Sequence, residues 1–155
     1  MPQDCQANTV KTAFSRSTSV SILISAVPKT VWGLLTTAAD YPQWNSTVIS
    51  VEGDIQPGGT LVLISTLDPS RKFKLNVKEF EPETRLVWGD RQGNRVYTLE
   101  KRDDKTVLFS MTEKIGGILF PLYGRYIPPF DKAFEQFAMD LKQAAETREA
   151  YDYET

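Results

Sequence analysis

Few of the residue types that commonly perform catalysis occur in this sequence. Histidine is absent, and there is a single cysteine, Cys5. These counts exclude histidine-containing catalytic triads, histidine-ligated zinc, an intrachain disulfide and a cysteine cluster that could hold a metal. Any reaction must therefore depend on carboxylates, lysine, arginine, tyrosine, serine, threonine or bound water. The sequence predicts no metal and no cofactor.

Arg95 is the main candidate for a polar contact with a ligand. The predicted strand 72–80 alternates cleanly between polar and apolar residues, and its apolar positions are Phe73, Leu75 and Val77. This alternation is typical of an antiparallel sheet with one buried face. The rings of Trp88 and Tyr97 set the inward phase of two further strands, and that phase turns Arg95 inward.

An inward Arg95 would orient a carboxylate or a polarised carbonyl of a ligand. The alternative is that Arg95 lies at the mouth of its strand and pairs with Asp90 or Glu113, because charged residues are rarely buried without a partner. The sequence leaves both alternatives open.

Glu113 is a second polar candidate, and its position depends on the phase of the predicted strand 105–113. One face carries Val107, Phe109, Met111 and Glu113, and the other carries Thr106, Leu108, Ser110 and Thr112. The first set is the more apolar and is favoured as the inward one. Desolvation in an apolar pocket would raise the pKa of Glu113 and suit it to acid or base catalysis. The alternative is an exposed glutamate at the strand end, beside Lys114.

Tyr123 and Tyr126 lie in a segment bounded by glycines and prolines, just before the last predicted helix. They could gate the entrance to a cavity and offer hydroxyl groups to a ligand. They could equally pack against the start of the helix with their hydroxyl groups in water.

The elements that must position these residues follow a simple order. A strand at 18–25 precedes two short helices, which begin near Pro28 and Asp40, and six further strands follow at regular spacing. The last helix is predicted over 129–149, with an apolar stripe of Phe130, Phe134, Phe137, Leu141 and Ala144 or Ala145. This order predicts an α+β fold in which a curved, seven-stranded antiparallel sheet wraps around the long C-terminal helix.

Length and charge restrict the possible partners. The 155 residues suit one domain, predicted over 17–149 between a flexible arm (1–16) and an acidic tail (150–155). The formal net charge of −2 gives no basic footprint for nucleic acid. No apolar stretch is long enough to span a bilayer or to serve as a signal peptide, so a cytoplasmic location is expected. The oligomeric state is left open.

Many large rings fall on the predicted inner surface, where they form either a dense core or the lining of a pocket. For any single ring, core packing is the simpler interpretation. The candidate ligand-binding residues are Trp44, Phe73, Leu75, Trp88, Arg95, Tyr97, Phe109, Met111, Glu113, Phe120, Tyr123, Tyr126, Phe130 and Phe134. None of them is predicted to be catalytic.

Four stretches of the sequence resemble the START-like, helix-grip (SRPBCC) ligand-binding superfamily. They are SAVPKTVWGLLTTAADYPQWN at 25–45, VEGDIQPGGTLV at 51–62, RLVW at 85–88 and TEKIGGILFPLYG at 112–124. The polyketide cyclase/dehydrase-like branch is the most similar, and homologues of the heat-shock-protein ATPase activator share a similar opening. The resemblance implies a cavity between the concave face of the sheet and the last helix, with its entrance near the loops before that helix.

The leading hypothesis is therefore a non-enzymatic protein that binds a small hydrophobic molecule, such as a lipid, a polyketide or an aromatic metabolite. The second is an enzyme of the cyclase or dehydratase type, in which Arg95, Tyr97 or Glu113 assists proton transfer and confinement accelerates the reaction. The third is an interaction module of the chaperone-activator kind, which a contiguous exposed apolar patch outside the cavity would favour.

Overall fold

The computed structural model describes residues 5–154 of the chain. Eight strands form one antiparallel sheet, in the spatial order β1-β2-β8-β7-β6-β5-β4-β3. They are β1 (Asn8–Lys11), β2 (Ser15–Ile24), β3 (Val48–Gly53), β4 (Thr60–Ser65), β5 (Phe73–Glu81), β6 (Arg85–Gly89), β7 (Gly93–Asp103) and β8 (Thr106–Gly116). The helices are α1 (Pro28–Thr36), α2 (Tyr41–Trp44), α3 (Phe120–Tyr123) and α4 (Asp131–Glu154), with 3₁₀ turns at Ala38–Asp40 and Gly124–Tyr126.

The predicted α+β, helix-grip architecture is confirmed: a large, curved, open sheet holds the long C-terminal helix. The alternation that predicted the strands is seen in their burial. Along β5, Phe73, Leu75 and Val77 are more buried than Lys74 and Asn76, which lie between them. Along β8, Val107, Phe109 and Met111 are fully buried, so the favoured inward phase of this strand is correct.

The apolar stripe of α4 faces the sheet as predicted. Its most buried side chains are each at most 1% exposed, and they are Phe134, Phe137, Ala138, Leu141 and Ala145. The helix begins at Asp131, shortly after the predicted start. It continues to Glu154, through most of the predicted acidic tail, because the sequence contains no glycine or proline after Pro129 that would end it.

The sequence predicted a flexible arm over residues 1–16, but part of this segment forms a strand. This strand raises the number of strands from seven to eight. Asn8–Lys11 pairs with β2 at the edge of the sheet. Two side-chain contacts bind this segment to α4: the Thr9 hydroxyl donates to Asp131 Oδ1 (2.6 Å), and the Ala7 N–H donates to Glu135 Oε1 (3.1 Å). A short polar strand held in this way has no apolar alternation, so the sequence gives no signal for it. Residues 1–4 of the predicted arm lie outside the described residues.

The centre of the fold is filled by aromatic rings around Phe137 of α4. Four other rings have their centroids within 6.5 Å of the Phe137 ring, and they are Tyr41, Trp44, Tyr97 and Phe109. This ring cluster occupies the middle of the space between sheet and helix. Two internal spaces lie at the end of the domain where α4 begins.

No helix among residues 5–154 has both the length and the apolar character required to cross a lipid bilayer.

Candidate ligand-binding cavity

A cavity of about 190 Å³ lies where the ends of β4 to β8 meet the segment that leads into α4. Its wall is mainly apolar, with Leu63, Leu67, Phe73, Leu75, Trp88 and Ile115 as the principal contributors from the sheet. Tyr126, Ile127, Pro128 and Phe130 close the opposite side. The cavity is partly open to solvent, and its lining includes the segment before α4, where the resemblance implies an entrance.

Half of the fourteen candidate residues line this cavity, and they are Phe73, Leu75, Trp88, Arg95, Glu113, Tyr126 and Phe130. Met111 and Phe134 line a smaller adjoining space of about 30 Å³, to which Arg95 and Leu63 also contribute. The structure therefore brings these nine side chains to one end of the fold, where one ligand could contact several of them.

Trp44, Tyr97 and Phe109 do not line the cavity, although the sequence predicted that they would. Their rings pack in the ring cluster around Phe137. The phase of Tyr97 and Phe109 was correct, since both side chains point inward and are buried. They lie too far along their strands toward the middle of the helix, where aromatic packing fills the space.

Phe120 and Tyr123 are also absent from the lining. Their rings contact each other edge to face, with centroids 5.5 Å apart. Phe120 is buried beneath Gly124, where an added Cβ would lie only 2.7 Å from the Phe120 ring. Of the two tyrosines predicted to gate the entrance, Tyr126 is the one at the cavity.

Arg95 points into the cavity and is also paired with Glu113. The two alternatives that the sequence left open, an inward side chain and a paired one, are therefore both true. Its Nε donates to Glu113 Oε1 at 3.0 Å, across directly paired positions of β7 and β8. Its guanidinium lies over the Phe134 ring, 5.0 Å from the centroid. A guanidinium has five N–H donors, and the described residues offer Arg95 fewer acceptors than that, namely Glu113 and the nearby Tyr97 hydroxyl, which leaves donors for a ligand oxygen.

The surroundings of Arg95 in the cavity wall stabilise its positive charge. Burial by itself lowers the pKa of Arg95, but the Glu113 carboxylate and the Tyr97 hydroxyl outweigh that effect and raise it above its usual value. Both members of the pair are largely shielded from water, with side-chain exposures of 17% and 19%. The cavity therefore contains a fixed cation and a fixed anion within an apolar wall.

Tyr97 is affected by the same environment. Burial raises the pKa of Tyr97 to about 12, and the nearby Arg95 cation opposes part of that rise. Its hydroxyl group lies close enough to the Arg95 guanidinium to interact with it. Since Tyr97 does not line the cavity, it is not placed to exchange a proton with a ligand there.

Arg16 positions the segment that closes the cavity. Arg16 is not among the residues predicted from the sequence. Its Nη1 donates to the Ile127 carbonyl (3.0 Å) and its Nη2 to the Pro128 carbonyl (2.8 Å), while its guanidinium lies over the Phe130 ring. Burial lowers the pKa of Arg16, although the carboxylates of Glu113 and Asp131 act in the opposite direction. A signal was present, because the alternation of Val20, Ile22 and Ile24 extended backwards puts Arg16 on the inward face.

The rim of the cavity carries further polar groups. Asp90 Oδ1 accepts the N–H groups of Gln92 (2.8 Å) and Gly93 (3.1 Å), which stabilises the turn between β6 and β7. The Arg71 guanidinium lies 4.5 Å from the centroid of Phe73, and forms no ion pair with any described residue. Residues 5–154 contain no group of three His, Cys, Asp or Glu side chains that could hold a metal ion.

Comparison with known families identifies the group to which the sequence is related. Residues 25–146 match the family described as "Activator of Hsp90 ATPase homolog 1-like protein". The chain belongs to this family. The START-like assignment made from the sequence is thereby confirmed at the level of the superfamily. The match falls in the chaperone-activator branch, which the sequence analysis had kept beside the polyketide cyclase branch.

Solved structures confirm the fold of this family member. A conserved protein of unknown function, EF2215 from Enterococcus faecalis, superposes with a TM-score of 0.68 at 17% identity, over 92% of this chain and 78% of the other. A START superfamily protein from Mycobacterium smegmatis gives 0.58 at 14% identity, over 87% and 97%. At such low identity the likeness establishes the fold and not the ligand.

One structural neighbour comes from a biosynthetic pathway. The di-domain ARO/CYC protein StfQ of steffimycin biosynthesis gives a TM-score of 0.62 at 9% identity, over 92% of this chain and 53% of StfQ. Among proteins of curated function, none matches this chain at a significant level.

Proposed function

We propose that this protein binds a small, mainly apolar molecule in the cavity at the start of α4. The observation that carries the proposal is a mainly apolar cavity, partly open to solvent, whose wall includes the Arg95 guanidinium with more N–H donors than the described residues accept. Sites for small molecules commonly combine apolar walls with a few fixed polar groups that set orientation.

The cavity also indicates the kind of ligand. Its volume of about 190 Å³ is below the roughly 300–1,000 Å³ of pockets that enclose drug-sized molecules. A ligand of one or two rings, or a short chain, would fill it, and a longer molecule would extend through the entrance beside Tyr126. An oxygen acceptor near Arg95 would replace the water that otherwise solvates the Nη atoms.

Filling the cavity with protein tests this proposal. The probe is N-phenyl-1-naphthylamine, an uncharged fluorophore that brightens in apolar surroundings and whose naphthyl group is small enough for the cavity. Leu75→Trp places an indole in the cavity and is expected to weaken binding by at least about tenfold. Fluorescence titration measures the change.

Lys74→Trp is the matched control, because the adjacent residue of β5 points to the exposed face. It is expected to leave the affinity unchanged, and urea unfolding should show that both variants remain folded. Unchanged binding by a folded Leu75→Trp variant would mean that the probe binds elsewhere.

A cyclase or dehydratase activity is the second candidate, and one observation supports it. Arg95 and Glu113 converge inside the cavity, where a carbonyl could be polarised and a proton transferred. Tyr97, the third group considered for this role, does not line the cavity. Incubation with candidate metabolites, followed by mass analysis, separates the two functions: a binder returns its ligand unchanged.

A role as a protein-interaction module is the third candidate. The outer face of β5 presents Lys74 and Lys78, and Lys72 lies in the preceding turn, so this part of the sheet is polar and exposed. Exposed apolar side chains outside the cavity lining, the feature that would favour this role, occur at Ile118, Leu119 and Leu122.

A further inference from the structure

Five exposed apolar side chains lie on or beside the segment that leads into α4, and one of them, Tyr126, also lines the cavity. We name them the mouth patch, and they are Phe14 (56% exposed), Ile118 (88%), Leu119 (62%), Leu122 (69%) and Tyr126 (73%). Four lie within nine residues of sequence, and the Phe14 carbonyl accepts the Gly117 N–H at 2.9 Å, which places the fifth beside them. Soluble monomers rarely expose apolar side chains together in this way without a function.

The packing of the segment that carries the mouth patch does not explain why these side chains are exposed. The short helix α3 turns Phe120 into the protein, whereas Leu119 and Leu122 on either side of it face solvent. A residue that is 88% exposed, as Ile118 is, has few neighbours, so it projects from the surface rather than lining a groove. A projecting apolar tip of this kind suits insertion into a soft apolar phase better than a fit against a rigid protein surface.

The segment that carries four residues of the mouth patch is basic. Residues 114–130 include Lys114 and Arg125 but no aspartate or glutamate. The Arg125 guanidinium lies 4.9 Å from the centroid of the Tyr126 ring and donates to its hydroxyl at 2.9 Å. A tyrosine with an adjacent arginine suits the boundary between headgroups and acyl chains, where the ring lies in the apolar layer and the cation reaches the headgroups.

We propose that the mouth patch docks this protein onto the surface of an anionic lipid bilayer. Ile118, Leu119 and Leu122 enter the outer part of the acyl layer, and Lys114 and Arg125 contact acidic headgroups. Because Tyr126 belongs both to the patch and to the cavity lining, the docked protein faces its cavity entrance toward the bilayer. The use of this orientation as a route for an apolar ligand rests on the proposed function. The docking itself does not depend on the proposed function.

Vesicle sedimentation tests the docking directly. The wild-type protein is mixed with vesicles of phosphatidylcholine alone, or with about three tenths phosphatidylglycerol. Binding to the anionic vesicles is expected to be at least about tenfold tighter and to weaken with added salt. The variant Ile118→Ser, Leu119→Ser, Leu122→Ser is expected to lose at least about tenfold in affinity, because its exposed tip is no longer apolar.

The control variant is Ile49→Ser, Met139→Ser, which removes two exposed apolar side chains (43% and 42%) outside the patch. It should bind vesicles as the wild type does, and urea unfolding should show that both variants are folded. Equal vesicle binding by the triple variant, or no binding by the wild type, overturns the proposal. So does light scattering that shows a dimer lost only in the triple variant, without vesicle binding, because the patch would then bind a second copy.

The naphthylamine titration separates the two proposals. The triple variant should bind the probe in solution with unchanged affinity, because none of its three residues lines the cavity. If the wild type binds the probe but not the vesicles, only the docking proposal is rejected. Vesicle binding without probe binding rejects the cavity proposal and leaves docking in place.

Discussion

Glu113→Met is expected to lower the free energy of unfolding by about 3 kcal/mol, because it leaves the Arg95 cation inside the cavity wall without its carboxylate. The two side chains lie 3.0 Å apart and are both well shielded from water. Arg95→Met should have a comparable effect, since it leaves the carboxylate unpaired. Urea unfolding at neutral pH, with an unchanged m-value, is the measurement.

The double variant Arg95→Met, Glu113→Met should recover most of the loss, because replacing both members of a buried ion pair with apolar groups is often close to neutral. The exposed pair of Arg85 and Glu79 is the matched control, since it is as short (2.7 Å) but its side chains are 40% and 49% exposed. Glu79→Met should cost less than about 1 kcal/mol. Equal losses at the two sites would show that the cavity wall is as well solvated as the surface.

Phe137→Ala is expected to lower the free energy of unfolding by about 3–5 kcal/mol, the range for removing a buried aromatic ring from a core. Phe137 is 1% exposed, and the rings of Trp44 and Tyr97 lie 5.7 and 5.8 Å from it. Truncation would remove a contact from every ring of the cluster at once. Thermal and urea unfolding, monitored by tryptophan fluorescence, measure the loss.

Met139→Ala in the same helix is the control for Phe137→Ala. Met139 is 42% exposed, and alanine preserves helix propensity, so the change should stay within about 0.5 kcal/mol. A loss below about 1 kcal/mol for Phe137→Ala would contradict the placement of this ring at the centre of the core. The cavity would then extend further along α4 than described.

The sequence predicted the fold well because the sheet alternates so regularly. Lys74 and Asn76, which alternate with Phe73, Leu75 and Val77, mark one face as solvated. The same period carries over to Arg95 and Tyr97 on β7. The side chains that face inward could therefore be identified from the sequence alone. The distance of each side chain from the start of α4 could not be predicted from the sequence. That distance separates Arg95, which lies at the cavity, from Tyr97, which lies in the core.

The features that the sequence did not predict depend on contacts distant in the chain. The edge strand Asn8–Lys11 is polar, and its order comes from pairing with β2 and from hydrogen bonds to Asp131 and Glu135. Arg16 is buried because the carbonyls of Ile127 and Pro128, more than 110 residues away, accept its hydrogen bonds. Neither partner can be assigned from local composition.

Together these features describe a domain whose central space is filled by rings and whose free space lies at one end. Arg16 fixes the segment that closes this end, the Arg95–Glu113 pair lines the cavity, and Tyr126 of the mouth patch belongs to the same lining. The proposed binding function requires only these few polar side chains in an apolar wall.

The most direct test of the cavity as the binding site is methyl NMR during titration with N-phenyl-1-naphthylamine. Saturable shifts are expected for the methyl groups of Leu63, Leu75 and Ile115, which line the cavity, and none for those of Leu34 and Leu141 in the core. Shifts confined to the methyl groups of the mouth patch, or no shifts at all, would contradict an internal binding site.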